Sequence, residues 1–393
     1  MRVCAVICEY NPFHLGHARH LRAAREASGA DAVLCLMSGA LTQRGAFARH
    51  DKWLRARAAL ENGADVVLEL PTRFACAPAP DFASGGVALL SSLGVVTHLS
   101  FGCEPSALPL LSAAAPLFKA ESSAFSAALQ TRLADGLPYP RARALAAEQI
   151  AGLPADLLAQ PNAALALEYL QALPPEIVPV PVERRGSGYH DANLSALSSA
   201  TAVRAALARG DLADALAAVP SPSLLREAEA RGFVHEEEAL TQALLYRLRT
   251  ASPDELAALY GMDEGLESRF LSAAQTCSTR ESLLDSVKTK RYTRARLSRL
   301  CAYALLGLTR DFADAHRAPE YARVLGFRKS AAPLLKAIKR RGSIPLVTKA
   351  ADFDRSNPLF ALDVRAQDLW SLGVSSPSLR ASGRDFTTSP VIL

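Results

Sequence analysis

The chain has 393 residues, of which 50% are apolar and 21% charged, and its formal net charge is +5. This length exceeds the roughly 250–300 residues at which one hydrophobic core usually stops growing, and the composition excludes collagen-like, low-complexity and disordered classes. The apolar runs are too short for a transmembrane helix and no signal peptide is evident, so we expect a cytoplasmic globular protein of two domains.

The first part of the chain alternates apolar runs with helical patterns. Val3 to Cys8 predicts a strand, and a helix-period segment from Gly16 to about Ser28 follows it and ends at Gly29. The same rhythm predicts further strands at Ala32 to Met37, Val66 to Leu70 and Val95 to Phe101, with helices at Asp51 to Glu61 and Phe82 to Leu93. Such alternation is typical of a parallel sheet whose ligands bind beyond the carboxyl ends of the strands.

A long helical stretch then interrupts the sheet pattern. Residues from about Leu108 to Leu173 predict inserted helices before a last strand at Ile177 to Val182, after which we expect the sheet to end. A helix follows from about Ser199 to Ala208, and the remainder is mainly helical, with no clear strand pattern before the far C-terminus. The predicted fold is therefore α/β, with a parallel-sheet domain over residues 1–208 that carries helical insertions, and a mainly α-helical, basic domain over residues 209–393.

The loop after the first strand, Glu9 to His17, carries the first chemical signal. It places His14 and His17 three residues apart at the start of a helix, where the N-terminus attracts anions. Gly16 removes a side chain where a nucleotide would approach the backbone, and Pro12 stiffens the loop. Such a site can hold a triphosphate while its α-phosphorus is attacked in line and the imidazoles stabilise charge on the leaving pyrophosphate. Chance is the competing explanation, and the position after a strand favours function.

A second phosphate-type signal lies at Ser198 to Arg204. Ser199 and Thr201 can cap a helix there while Arg204 contacts phosphate. A capped helix with a surface arginine would explain the same pattern, and only the pairing with the first loop favours a phosphate site. The chain has no P-loop, no dinucleotide fingerprint after a strand, no zincin motif and no nucleophile elbow, which counts against those enzyme classes.

Short motifs along most of the chain carry a family resemblance. They are Glu9 to His17, Met37-Ser38-Gly39, Gln43-Arg44-Gly45, Lys52-Trp53, Glu69-Leu70-Pro71, Phe101-Gly102, Pro161-Asn162, Tyr189-His190-Asp191 and Lys288-Thr289-Lys290-Arg291-Tyr292. The pair of phosphate-type motifs resembles the HIGH-type nucleotidylyltransferase superfamily, and the whole set resembles the tRNA(Met) cytidine acetate ligase family. That resemblance implies a nucleotidylyltransferase-like first domain in which ATP and acetate form acetyl-adenylate. The acetyl group then passes to N4 of the wobble cytidine in elongator tRNA(Met).

The resemblance also implies a set of site residues, with His14 and His17 as the catalytic pair. The ATP contacts it implies are Val6, Ile7, Glu9, Tyr10, Asn11, Pro12, Phe13, His14, Gly16, His17, His20, Gly102, Asn162 and Arg184 (or Arg185 beside it), and the second motif adds Ser199, Thr201 and Arg204. ATP with Mg²⁺ and the co-substrate acetate are the expected small molecules, although no acetate pocket and no protein metal site is identified. Neither a membrane nor a protein partner is implied.

The basic segment from Lys288 to Arg299 is the predicted tRNA-binding site. Its cations are spaced as phosphate contacts along an RNA strand would require, and Tyr292 could stack on a base. We assign the RNA contacts to Lys288, Lys290, Arg291 and Arg294. A solvated helix face with arginines paired to acidic neighbours explains the same composition. A second cluster, Lys336, Lys339, Arg340, Arg341 and Lys349, has the same two explanations.

Two other functions stay open at this point. One is a nucleotidylyltransferase whose final product is a small-molecule adenylate or dinucleotide, which would leave the basic helical part unexplained. The other is a non-catalytic tRNA-binding protein that senses ATP, against which the intact His14, Gly16, His17 and Arg204 count.

Overall fold

The computed structural model describes residues 1–119, 123–183 and 199–393. Within these ranges the chain forms one mixed sheet of eight strands. The strands are β1 (Val3–Cys8), β2 (Ala32–Ser38), β3 (Val66–Leu70), β4 (His98–Gly102), β5 (Val178–Val182), β6 (Ala322–Phe327), β7 (Leu346–Val347) and β8 (Val391–Ile392).

Helices form most of the rest of the described chain. They are α1 (Leu15–Ser28), α2 (Lys52–Glu61), α3 (Thr72–Ala75), α4 (Ala79–Ser92), α5 (Leu108–Lys119), α6 (Ser123–Ala134), α7 (Tyr139–Ala151), α8 (Ala155–Ala159), α9 (Pro161–Ala172), α10 (Ala200–Arg209), α11 (Leu212–Ala217), α12 (Pro222–Ala230), α13 (Thr241–Thr250), α14 (Pro253–Ala257), α15 (Leu266–Thr276), α16 (Arg280–Val287), α17 (Arg294–Leu306), α18 (Arg310–Ala315), α19 (Ala332–Arg341), α20 (Pro358–Leu372) and α21 (Arg384–Thr387). Across the described ranges, none of them combines the length and the apolar character that a bilayer crossing needs.

The strand order creates a crevice beside β1. The order is β5-β4-β1-β2-β3-β6-β7, with β8 also paired to β6, and strands β1 to β5 are mutually parallel. From β1 the chain proceeds to β2 and β3 on one side and then crosses to β4 and β5 on the other. The order therefore reverses between β1 and β4, and in such sheets ligands bind beyond the carboxyl ends of the strands at this reversal.

Two apolar layers cover the faces of the sheet. Side chains alternate along β1, so that Val3 and Ala5 pack with α4, α5 and α9, while Cys4 and Val6 pack with α1 and α2. A further cluster lies between helices α13 to α17 and α20. The predicted strands and the inserted helices α5 to α9 are confirmed, apart from shifts of a few residues at their ends.

The sheet does not end at β5, contrary to our expectation. Strand β6 joins the edge of β3 in the antiparallel direction, and β7 and β8 then pair with β6. Arg323 and Gly326 interrupt the apolar run of β6, so the sequence gives no clear strand pattern. A division of the chain at residue 208 stays a prediction, but these C-terminal strands belong to the same sheet as β1.

Candidate functional site

The two histidines of the first loop form a reciprocal cap at the start of α1. His14 precedes the helix in an extended conformation, and its Nδ1 accepts the Gly16 N–H at 3.0 Å. In return, Nδ1 of His17 accepts the His14 N–H at 3.2 Å. The two rings lie with their centroids 3.7 Å apart. This is the geometry of a capping box, with imidazoles in place of the usual hydroxyl and carboxylate.

The cap fixes the tautomer of both rings. A neutral imidazole has one acceptor nitrogen and one donor nitrogen. Because Nδ1 is the acceptor in His14 and in His17, the proton of each neutral ring lies on Nε2. Each ring can therefore offer an Nε2–H to a phosphate oxygen, which suits the stabilisation of negative charge on a leaving pyrophosphate.

The backbone amides at the start of α1 already have acceptors. The Leu15 N–H donates to the Ala218 carbonyl at 3.0 Å, and the N–H groups of His17 and Ala18 donate to the His14 carbonyl at 2.9 and 3.2 Å. The Gly16 N–H bonds to the His14 ring. We expected this helix end to attract anions; with these amides engaged, it offers an anion its dipole, and any direct donors have to come from side chains.

Glycine at position 16 makes room for the His14 ring. A Cβ at Gly16 would lie 2.8 Å from Cε1 of His14, closer than real Cβ contacts come. Tyr10 and Phe13 complete the surroundings, with ring centroids 4.8 and 5.6 Å from that of His17. The Asn11–Pro12 peptide bond in this loop is cis.

The second motif lies directly against the first loop. Ser199 caps α10 by accepting the Ala202 N–H at 3.2 Å, as expected. The Arg204 guanidinium donates to the Asn11 carbonyl at 2.5 Å and to Oγ1 of Thr201 at 3.3 Å. The two phosphate-type motifs, nearly two hundred residues apart in sequence, therefore meet beyond the end of β1. Ser198 itself lies outside the described residues.

The other expected ATP contacts surround the crevice between β1 and β4. Val6 is buried, whereas Ile7 and Glu9 near the end of β1 are partly exposed. His20 on α1 reaches across to β4, with Nε2 3.1 Å from Oγ of Ser100. Gly102 ends β4 and Asn162 lies in the first turn of α9, which packs on β4. Arg184, Arg185 and the Tyr189-His190-Asp191 motif lie outside the described residues.

Arg55 is a site residue that the sequence did not reveal. It is buried in α2 and donates to the carbonyl groups of Glu9 at 2.7 Å and Ser38 at 3.0 Å, and also to that of Gly39. Burial lowers the pKa of Arg55 to about 10, so the guanidinium is charged at neutral pH. It joins the loops that follow β1 and β2. An arginine in an amphipathic helix usually indicates a solvated face, and nothing local marks this one as buried.

The segment 39–51, which we call the bridging loop, connects the first loop to the C-terminal half. On one side, Gln43 N–H donates to the Glu9 carboxylate at 2.8 Å and Arg49 N–H donates to Oδ1 of Asn11 at 2.9 Å. On the other side, the Arg49 guanidinium pairs with Glu229 of α12 at 2.7 Å. The C-terminal half therefore supports the position of the first loop.

A buried ion cluster lies behind the bridging loop. Lys52 contacts Glu69 and Asp385, each at 2.7 Å, and Arg323 of β6 contacts the same two carboxylates at 3.3 and 2.7 Å. All four side chains are almost inaccessible to solvent. A Cβ at Gly39 would lie 2.1 Å from Oε1 of Glu69, which explains the glycine in the Met37-Ser38-Gly39 motif. These contacts join α2 and β3 to β6 and α21.

The basic segment differs from the expected RNA surface. Arg291 pairs with Glu264 at 2.5 Å, and Arg294 pairs with Asp285 at 2.6 Å and with Glu281. Tyr292 is only 6% exposed, so the expectation that it stacks on a base is wrong. Lys288 and Lys290 are exposed, and neither pairs with an acidic side chain in the described part of the chain. The RNA contacts we assigned to this segment stay a prediction, now centred on its lysines.

The second basic cluster faces another part of the molecule. Lys336, Lys339, Arg340 and Arg341 are exposed on α19. Just after α19, the Ser343 N–H donates to the Ser92 carbonyl at the end of α4, at 2.8 Å. Because α4 leads from the carboxyl end of β3 to the start of β4, this contact places the end of α19 near the amino ends of the strands. The crevice lies at their carboxyl ends.

Comparison with known proteins gives matches over the whole chain. A family model described as HIGH Nucleotidyl Transferase matches residues 1–385. A tRNA(Met) cytidine acetate ligase from Syntrophomonas wolfei is 35% identical over 413 residues, which cover 100% of this chain and 99% of the relative. One from Acetivibrio thermocellus is 36% identical over 417 residues and all of both chains. A crystal structure of Thermotoga maritima TmcAL bound with alpha-thio ATP is 30% identical over 100% of both chains, with a TM-score of 0.91.

Proposed function

Because this chain belongs to the tRNA(Met) cytidine acetate ligase family of HIGH nucleotidyl transferases, we propose that it acetylates N4 of the wobble cytidine in elongator tRNA(Met) at the expense of ATP. The observation that carries the proposal is the convergence of His14, His17 and Arg204 beyond the carboxyl end of β1. The similar Thermotoga maritima structure holds an ATP analogue, which supports ATP as the nucleotide here.

The reaction has two steps. An acetate oxygen attacks the α-phosphorus of ATP, the bond to the bridging oxygen breaks, and pyrophosphate leaves acetyl-adenylate behind. The N4 amine of cytidine then attacks the acetyl carbonyl, AMP leaves, and the amine loses a proton. The first step is needed because acetate is unreactive and the exocyclic amine is a poor nucleophile, whereas a mixed anhydride is reactive.

In the first step, His14 and His17 act on the leaving group. Their Nε2–H donors stabilise the charge that develops on pyrophosphate, and removing one such donor typically costs on the order of 10² to 10³ in rate. Arg204, held on the Asn11 carbonyl, adds a fixed positive charge beside the same loop. Val6 to His20, Gly102, Asn162, Ser199 and Thr201 supply the proposed ATP contacts.

Mg²⁺ is proposed here as a companion of the nucleotide and not as an ion held by protein side chains. The described residues include no group of three or more His, Cys, Asp or Glu side chains that could hold a metal ion. Mg²⁺ commonly binds through substrate phosphates and keeps several waters. Bound to the phosphates of ATP, Mg²⁺ would neutralise part of their charge.

The proposed RNA substrate has an exposed basic surface available to it. Lys288 and Lys290 are exposed cations that pair with no acidic side chain among the described residues. Such cations can pair with the phosphates of an RNA backbone. Both tRNA and ATP are cytoplasmic, so we propose that the reaction takes place in the cytoplasm.

The test is mass spectrometry of nucleosides from elongator tRNA(Met) transcripts incubated with the protein, ATP and labelled acetate. We expect labelled N4-acetylcytidine that depends on ATP, and none from a transcript with uridine at the wobble position. The His17→Ala protein serves as the control for contaminating enzymes. Adenylate formation without transfer to any tRNA would favour a small-molecule product, and tRNA binding without pyrophosphate release would favour an ATP sensor.

A further inference from the structure

Tyr169 is a polar residue of the crevice to which the proposed mechanism gives no role. It lies on α9, two turns after Asn162, and its ring centroid is 5.6 Å from that of Phe101 on β4. The residue is 3% exposed, so packing fixes the direction of the ring.

The hydroxyl of Tyr169 differs from those of the other buried tyrosines. Tyr303 donates to the Cys76 carbonyl at 2.6 Å, Tyr321 donates to Asp363, and the Tyr10 hydroxyl contacts Cys35 at 3.4 Å. The hydroxyl of Tyr169 forms no hydrogen bond with any residue in the described ranges. This oxygen is not fully enclosed by protein atoms. Buried tyrosine hydroxyls normally have a partner, and this one points to a ligand.

The contact with Phe101 of β4 and the nearby Cys8 and Glu9 place the Tyr169 hydroxyl beside the crevice between β1 and β4. Val3 to Val6 are buried, whereas Ile7 and Cys8 are partly exposed, so the sheet opens at the end of β1 beside Phe101. Burial and the nearby ionisable groups of Cys8 and Glu9 raise the pKa of Tyr169 above its ordinary value. The phenol therefore stays protonated and can donate a hydrogen bond.

We propose that Tyr169 is a substrate-binding residue whose hydroxyl donates a hydrogen bond to the carboxylate of acetate. This inference rests on the proposed function. Acetate pairs a small apolar methyl group with a strong double acceptor, and the partly exposed Ile7 offers an apolar surface on the same face of the sheet as Tyr169. The contact holds the carboxylate in the crevice where an oxygen can approach the α-phosphorus of ATP.

The experiment replaces Tyr169 by Phe and measures acetate-dependent exchange of labelled pyrophosphate into ATP. Phenylalanine keeps the ring contact with Phe101, so the variant is expected to fold, and thermal unfolding verifies this. A hydrogen bond to a charged group is worth roughly 10- to 100-fold in affinity, so we expect the KM for acetate to rise by about that factor. The KM for ATP should not change.

Tyr303→Phe is the matched control, because it removes a buried hydroxyl of the helical half and should leave the KM for acetate unchanged. An unchanged acetate KM in Tyr169→Phe would overturn the inference. A rise in the KM for ATP alone would assign the hydroxyl to the nucleotide and also overturn it. Wild-type protein without acetate-dependent exchange would overturn the proposed function itself, a result distinct from the other two.

Discussion

The two histidines of the first loop contribute differently to the stability of the fold. His14 is 4% exposed and caps α1 with its ring, whereas His17 is more accessible and accepts one hydrogen bond of 3.2 Å from the His14 N–H. Loss of a helix cap costs about 0.5–2 kcal/mol. Substitutions at the two positions therefore separate a chemical role from a folding role.

We expect His17→Ala to lower the rate of adenylate formation by roughly 10² to 10³ while the protein stays folded, because a transition-state donor is lost. His14→Ala should lose stability as well as activity. His14→Asn should recover stability, since asparagine is a good cap, but not activity, since the Nε2–H is absent. Thermal unfolding and pyrophosphate exchange measure the two quantities. A fully active, folded His17→Ala enzyme would contradict the mechanism.

A buried carboxylate makes the stability of the protein depend on pH. Asp363 on α20 is buried, accepts the Thr72 N–H at 2.6 Å and also accepts the Tyr321 hydroxyl. Burial, followed by the negative charge of Glu69, raises the pKa of Asp363 from 3.8 to about 7. The unfolded chain therefore releases this proton at lower pH than the folded chain does, and the stability contributed by Asp363 falls as pH rises from about 4 to about 7.

Asp363→Asn removes this titration. Relative to wild type, we expect the free energy of unfolding of the variant to increase by about 1.4 kcal/mol for each pH unit between those two values, and the difference to level off above pH 7. Urea unfolding of both proteins across this pH range checks the slope. A constant difference between them would show that Asp363 does not titrate there.

At the scale of elements, the sequence predicted the start of the sheet well and its far edge poorly. The strand β1, the first loop, α1 and the glycine that ends α1 all lie within thirty residues, so local sequence signals are enough to predict them. Strand β6 contains Arg323, whose carboxylate partners Glu69 and Asp385 lie far away along the chain. No local pattern shows that such a charge is buried. For the same reason, the sequence did not predict that Arg55 and Tyr292 are buried.

The basic segment around α16 and α17 gives an element-scale prediction. We expect Lys288→Ala with Lys290→Ala to weaken tRNA binding and to flatten its log–log salt dependence by somewhat less than about one unit for each lost phosphate contact. Adenylate formation should be unaffected. Lys336→Ala with Lys339→Ala removes the same charge from α19 and should have little effect. Equal losses in both double variants, measured by filter binding over a salt series, would indicate only a general attraction.

At the scale of the molecule, the C-terminal half supports the proposed nucleotide site. The bridging loop is held by Glu229, and the ion cluster around Lys52 needs Arg323 and Asp385. Removing one member of a buried ion cluster leaves charges without compensation, which costs about 3–5 kcal/mol. Cooperation between the halves therefore extends to folding.

We accordingly expect a fragment of residues 1–208 neither to fold stably nor to catalyse pyrophosphate exchange, because it would expose the edge of β3 and leave the Lys52–Glu69 pair without its partners. Circular dichroism with thermal unfolding, together with the exchange assay, tests the fragment against the full chain. A folded, active fragment would show that the first domain is autonomous.

The pairing of β3 with β6 can form only late in the synthesis of the chain. About 250 residues separate Glu69 from Arg323, so this contact is among those that close slowly. A ribosome that adds about 5–20 residues per second needs roughly 10 to 50 seconds to deliver β6 after β3 has emerged. During that interval a nascent chain presents an unpaired strand edge beside a Lys52–Glu69 ion pair that still lacks Arg323 and Asp385. The support for the proposed nucleotide site is therefore completed late. The yield of folded protein in a cell should depend on how well the exposed edge of β3 is protected during translation.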